Sequence, residues 1–131
     1  MRYLLDTDTC SYLAKQERKI WAKFQSLMYS EAWGISSLTA YELRKGVIVK
    51  GAGPWSGNVE EFLDLAQVIP FDKAAARTSA VVSSRLREIG KPSGPMDELI
   101  AGHAISLGAT LVTNNIKHFE NVVGLQIETW A

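Results

Sequence analysis

Five short apolar runs, at residues 2–5, 34–36, 67–69, 110–113 and 125–127, are separated by stretches with helical spacing, and this alternation limits what the chain can fold into. Strands joined through helix-length segments cannot make a meander of tight hairpins. Each crossover returns the chain to the same end of the sheet, which gives an α/β fold with a parallel sheet covered by helices on both faces. In such a fold the strand carboxyl ends and helix amino ends share one edge, and ligands bind there where the strand order switches.

The helical segments have their own signals. Asp8 is a candidate N-cap for a helix reaching about Lys15, and residues 17–28 carry Ile20, Phe24, Leu27 and Met28 at spacings of three and four. "WGISSLTAYELRKGV" predicts a strand at 34–36 and a helix opening near Thr39, with Thr39 and Glu42 in capping-box spacing. "KGAGPWSGN" reads as a loop before a helix at 59–65. A long helix follows over 72–89, capped by Asp72. "GKPSGPM" is a second loop, and 97–107 a further helix.

At 131 residues the chain suits one domain spanning residues 1–131, and 47% hydrophobic against 21% charged residues argues against disorder. No apolar run approaches the length of a membrane span, and the run before Asp6 is too short for a signal peptide, so a cytoplasmic protein without membrane contact is expected. Cys10 stands alone, with no disulfide partner, and reads as a small residue on a helix face. Fourteen basic and fourteen acidic residues remove any bulk-charge argument for a nucleic-acid partner. The cations do gather, at Lys15 to Lys23, at Arg44, Lys45 and Lys50, and at Lys73 to Lys91. These clusters permit a polyanion, and each also reads as a solvated helix face.

Asp6 ends the first strand, Glu42 lies near the start of the helix after the second, and Asp97 opens the helix before "TLVTNN". A parallel sheet delivers all three to one edge. Grouped carboxylates repel unless a cation lies between them, and hard divalent ions such as Mg²⁺ or Mn²⁺ take oxygen ligands of this kind. Singly, Glu42 can close a capping box and Asp97 can be an N-cap. Asp6 has no such structural task, because Asp8 is already available as the cap. His103 and His118 are given structural or surface positions ahead of acid/base work.

"YLLDTDTCSYL", "SLTAYELRKGV", "PMDELIAGHAISLGATLVTNN" and "GLQIETW", in this order over residues 2–130, resemble the successive motifs of the PIN domain in its VapC-type toxin form. The resemblance implies a three-layer α/β/α domain with four to five parallel strands. It implies an Mg²⁺-dependent endoribonuclease, Mn²⁺ being a possible substitute, that cleaves tRNA or another structured RNA. Carried onto this chain, the acidic positions are Asp6, Glu42 and Asp97, with Asp6 and Asp97 as direct metal ligands. Many relatives have a fourth acid after the "LVT" strand, where this chain has Asn114 and Asn115. Asn115 is kept as a member of the site, offering a neutral carbonyl or a hydrogen bond to a bound water. One firmly held ion is therefore expected, a second arriving with the substrate phosphate. The expected products are a 3′-hydroxyl and a 5′-phosphate, with Arg44, Lys45, Arg85 and Arg87 steering the backbone. The resemblance further implies a homodimer, a small antitoxin that blocks the active site, and a larger assembly bound to DNA through that antitoxin.

Two other readings use the same residues. Haloacid-dehalogenase-like phosphatases also begin with a strand and an Asp-x-Asp pair, in which Asp6 would be the nucleophile and Asp8 the acid/base. Their later Ser or Thr, Lys and closing Asp pair do not appear in suitable order here. A relative that binds RNA or protein without cutting it is the other, supported by the absent fourth acid.

Overall fold

The structure, a computed structural model, describes residues 1–51 and 53–131. In chain order the elements are β1 (Tyr3–Leu5), α1 (Thr7–Ala14), α2 (Arg18–Gln25), β2 (Trp33–Ser36), α3 (Ser37–Lys50), α4 (Pro54–Leu65), β3 (Val68–Ile69), α5 (Lys73–Glu88), α6 (Pro95–Leu107), β4 (Thr110–Val112) and β5 (Ile127–Glu128), with a 3₁₀ turn at Ile116–His118. The strands form one parallel sheet in the order β3-β2-β1-β4-β5. β1 is central, Leu4 pairing with Gly34 on one side and Leu111 on the other.

Alternation along β1 divides the interior into two layers. Tyr3 and Leu5 join Trp33, Ile35 and Val112 against α1 to α4, whereas Leu4 and Leu111 face α5 and α6 through Val82, Leu86, Ile100, Ala101 and Ala104. Leu4 and Leu5 are fully buried, as a strand covered on both faces requires. In the first layer Phe24 meets Trp33 edge to face at 4.8 Å, and the Trp33 indole donates to the Met28 carbonyl. Cys10 is buried there, and burial pushes its thiol pKa up, so it behaves as a small apolar residue. Trp130 returns the chain terminus to the Tyr3 ring, 5.4 Å away.

Several expected boundaries move, and each move has a local cause. Asp6, not Asp8, caps α1: β1 passes straight into the helix, and Asp6 Oδ1 accepts from the Thr9 amide at 2.9 Å. Ser36, the last residue of β2, caps α3 through the Leu38 amide, so Thr39 and Glu42 do not form a capping box. α4 opens at Pro54 within the expected loop, because proline suits the first helical position and Ser56 accepts from the Gly53 amide. Likewise Gly94 and Pro95 open α6, which puts Asp97 in its first turn and not at its cap. The last strand lies at Ile127–Glu128, slightly later than residues 125–127.

Candidate active site

The carboxyl end of β1 is the switch point, since the chain moves from there to β2 on one side and to β4 on the other. The Val112 carbonyl accepts from the Asp6 amide at 3.0 Å and from the Thr9 hydroxyl at 3.2 Å, which fixes the start of α1 to the end of β4. A cavity of about 110 Å³ opens at this edge. Its walls carry four carboxylates, Asp6, Asp8, Glu42 and Asp97, and its apolar lining is Met96, Ile100 and Phe119. Segments distant in sequence thus meet as expected.

Each acid leans on a neighbour. Asp6 is buried; burial raises its carboxyl pKa, hydrogen bonds from Thr113 and Thr9 lower it, and the charge of Asp8 raises it again. Glu42 accepts from the Thr7 hydroxyl, which lies 3.3 Å from that of Thr39. Asp97 Oδ2 is 3.2 Å from His118 Nδ1. Burial raises the Asp97 carboxyl pKa, His118 lowers it and Asp8 adds a further rise. Asn115 is held by its amide, which donates to the buried Thr113 hydroxyl at 2.9 Å, and its side-chain NH₂ donates to Asp8.

Other expected participants lie elsewhere. None of Arg44, Lys45, Arg85 and Arg87 lines the cavity. Arg44 pairs with exposed Glu60 at 2.6 Å, and Lys45 lies over the Tyr41 ring. His103 is buried, its Nδ1 2.9 Å from the Ser36 hydroxyl, and burial lowers its pKa, in keeping with a structural position. Glu98 is buried too but accepts from the Ser93 amide, holding the loop before α6. His118 is the contact that sequence reasoning underrated, since its pairing with Asp97 depends on how the 3₁₀ turn folds back onto α6.

Among the described residues, no three His, Cys, Asp or Glu side chains converge closely enough to enclose an ion by themselves. The donor set still fits a hard divalent cation. All four acids offer oxygen, and two of them are partly desolvated carboxylates with a like charge nearby. This suits an ion held by one or two carboxylates and completed by water and substrate, the usual manner for Mg²⁺.

Asp6 combines capping with this repulsion, and two substitutions separate them. Asn caps as well as Asp, so Asp6→Ala is expected to be about 1 kcal/mol less stable than Asp6→Asn in urea unfolding with chelator present. Because the folded-state pKa values of Asp6 and Asp97 are raised, the folded chain binds more protons than the unfolded one. The contribution of these groups to stability therefore falls as pH rises from the ordinary carboxylate range through the raised values, and Asp6→Asn flattens that slope.

A crevice lined by acids at the switch point of a parallel α/β sheet, with no serine, cysteine or histidine among its described lining residues, is an arrangement that metal-assisted hydrolases use. The PIN domain family matches residues 3–125, and the chain belongs to that family. It is 35% identical to the tRNA(fMet)-specific endonuclease VapC of Salmonella typhimurium (strain LT2), over all of this chain and 99% of that one. It is 33% identical to ribonuclease VapC2 of Rickettsia felis, over 99% and 98% of the two chains. Among solved structures, VapBC2 of Rickettsia felis bound to a promoter DNA fragment superposes with a TM-score of 0.90 at 32% identity, covering both chains completely. DNA-bound VapBC of Salmonella typhimurium gives 0.88 at 34% identity, over 100% and 99% of the chains. The chain is a PIN-fold nuclease of the VapC ribonuclease kind, a group whose chemistry in general depends on a divalent metal. The dehalogenase-like phosphatase reading falls with that assignment.

Proposed function

We propose that this chain is an Mg²⁺-dependent endoribonuclease toxin, with Asp6, Glu42, Asp97 and Asn115 as its site and Asp6 and Asp97 as the direct metal ligands. The observation that carries the reading is the meeting of Asp6, Glu42 and Asp97 in one cavity at the β1 switch point. A bound divalent cation supplies charge stabilisation at the phosphate and a more acidic water. Glu42, steadied by Thr7, accepts a hydrogen bond from the attacking water and orients it toward phosphorus. The water oxygen bonds to phosphorus as the P–O3′ bond breaks, leaving a 3′-hydroxyl and a 5′-phosphate. The apolar Met96, Ile100 and Phe119 lower the local dielectric and strengthen these contacts.

Structured RNA is the substrate class, tRNA first, in keeping with the similarity to the tRNA(fMet)-specific endonuclease VapC of Salmonella typhimurium. The partner is a small antitoxin, and the toxin works as a homodimer that joins a DNA-bound assembly through it; the similar VapBC structures are themselves bound to DNA. An apolar groove of about 250 Å³ between α1, α2 and α4, walled by Leu13, Trp21, Phe24, Met28, Phe62 and Leu65, suits an antitoxin segment. No helix among the described residues is long and apolar enough to cross a membrane, and the reading puts this single domain, residues 1–131, in the cytoplasm. Purified protein incubated with total RNA and Mg²⁺ is expected to produce discrete fragments with 5′-phosphates, and excess chelator to stop the reaction reversibly. Fragments that persist under chelator contradict the reading.

A further inference from the structure

Asp8 was expected to be occupied as a helix cap, and it is not. Asp6 accepts from the Thr9 amide in that capacity, and Asp8, exposed in the first turn of α1, lines the acidic cavity with its side chain hydrogen-bonded by Asn115. We propose that Asp8 is the fourth acid of the cleavage site, supplied from α1 in place of the acid missing after β4, and that Asn115 is its positioning residue and not a ligand.

The chemistry of positions 8 and 115 is coupled. Asn115 is set by its own amide on the Thr113 hydroxyl, so its NH₂ is presented to Asp8 from a buried anchor. An acid at 115 would face the Asp8 carboxylate and repel it, whereas an amide holds it. Asp8 lines the same cavity as Asp6, Glu42 and Asp97. With Asp8 counted, the cavity carries four carboxylates, one more negative charge to set against a divalent cation. This inference rests on the metal-dependent reading above and extends it.

Mn²⁺ titration calorimetry tests it without relying on turnover. The chain is first stripped with chelator, and the parent, Asp8→Asn and the exchanged pair Asp8→Asn/Asn115→Asp are compared. Asp8→Asn is expected to melt with the parent, since Asp8 caps nothing, and to lose about tenfold or more in affinity for the last ion bound. The exchanged pair, which returns one acid to the couple, is expected to recover most of that affinity. Parent-like Mn²⁺ binding by Asp8→Asn overturns the role of Asp8, as does an exchanged pair no better than the single variant. A parent that binds no Mn²⁺ and cuts no RNA overturns the underlying metal-dependent reading instead.

Discussion

Asp97→Asn is expected to lower RNA cleavage about 10²–10³-fold, the scale for losing one group that stabilises charge in a transition state. The substitution keeps the shape of the side chain and removes only its charge. Asp97 lies in the first turn of α6 but is not its cap, so no backbone amide loses a partner. An acid near a helix amino end is worth about 0.3–1 kcal/mol, and its loss is offset by relief of the burial and of the Asp8 repulsion that raise this carboxyl. The melting temperature in chelator is therefore expected to stay near the parent value. Loss of cleavage together with unfolding would instead mark Asp97 as a structural residue, and full cleavage would remove it from the site. The separation is clean because the charge that serves the reaction is a burden to the folded chain when no cation balances it.

Gly102→Ala is expected to cost about 3 kcal/mol or more, out of a total stability of about 5–15 kcal/mol for a domain of this kind. A Cβ at Gly102 would lie 2.1 Å from Ser79 Oγ, 2.4 Å from Ser79 Cα and 2.6 Å from Ser79 N. The hydroxyl can rotate away; the α5 backbone cannot, unless the whole helix withdraws from α6. Withdrawal would open the layer formed by Leu4, Val82, Leu86, Ile100 and Leu111. Thermal unfolding should show a fall of about 10 °C. Ser79→Gly in the same chain is expected to rescue little, because the two backbone contacts remain. Rescue to the parent melting temperature would mean that the helices are free to separate at this point.

The parallel sheet was legible because its strands are short apolar runs with a helix after almost every one, and Leu4 and Leu5 could only be fully buried. The convergence of Asp6, Glu42 and Asp97 followed from that topology alone. What sequence left hidden is which neighbour each acid uses. "DTDT" offers two possible caps, and the choice of Asp6 depends on β1 passing into α1 with Asp6 as the one residue between them. Glu42 stands at capping-box distance from Thr39, yet its partner is Thr7, across the sheet edge. The contacts of His118 with Asp97 and of Asn115 with Asp8 join the chain after β4 to α6 and α1, and no local pattern encodes them. Pro54 inside "GAGPWSG" is a helix start that a glycine-rich context disguises. Long-range side-chain pairing is therefore what the fold adds to the reading.

The most direct measurement is a map of RNA 5′ ends across the cell after brief induction of the parent chain and of Asp97→Asn. New 5′-phosphate ends confined to a small set of structured RNAs in the parent, and absent from Asp97→Asn, are the expected result. The same map from both proteins would contradict the assignment of RNA cleavage to the acidic crevice at the end of β1.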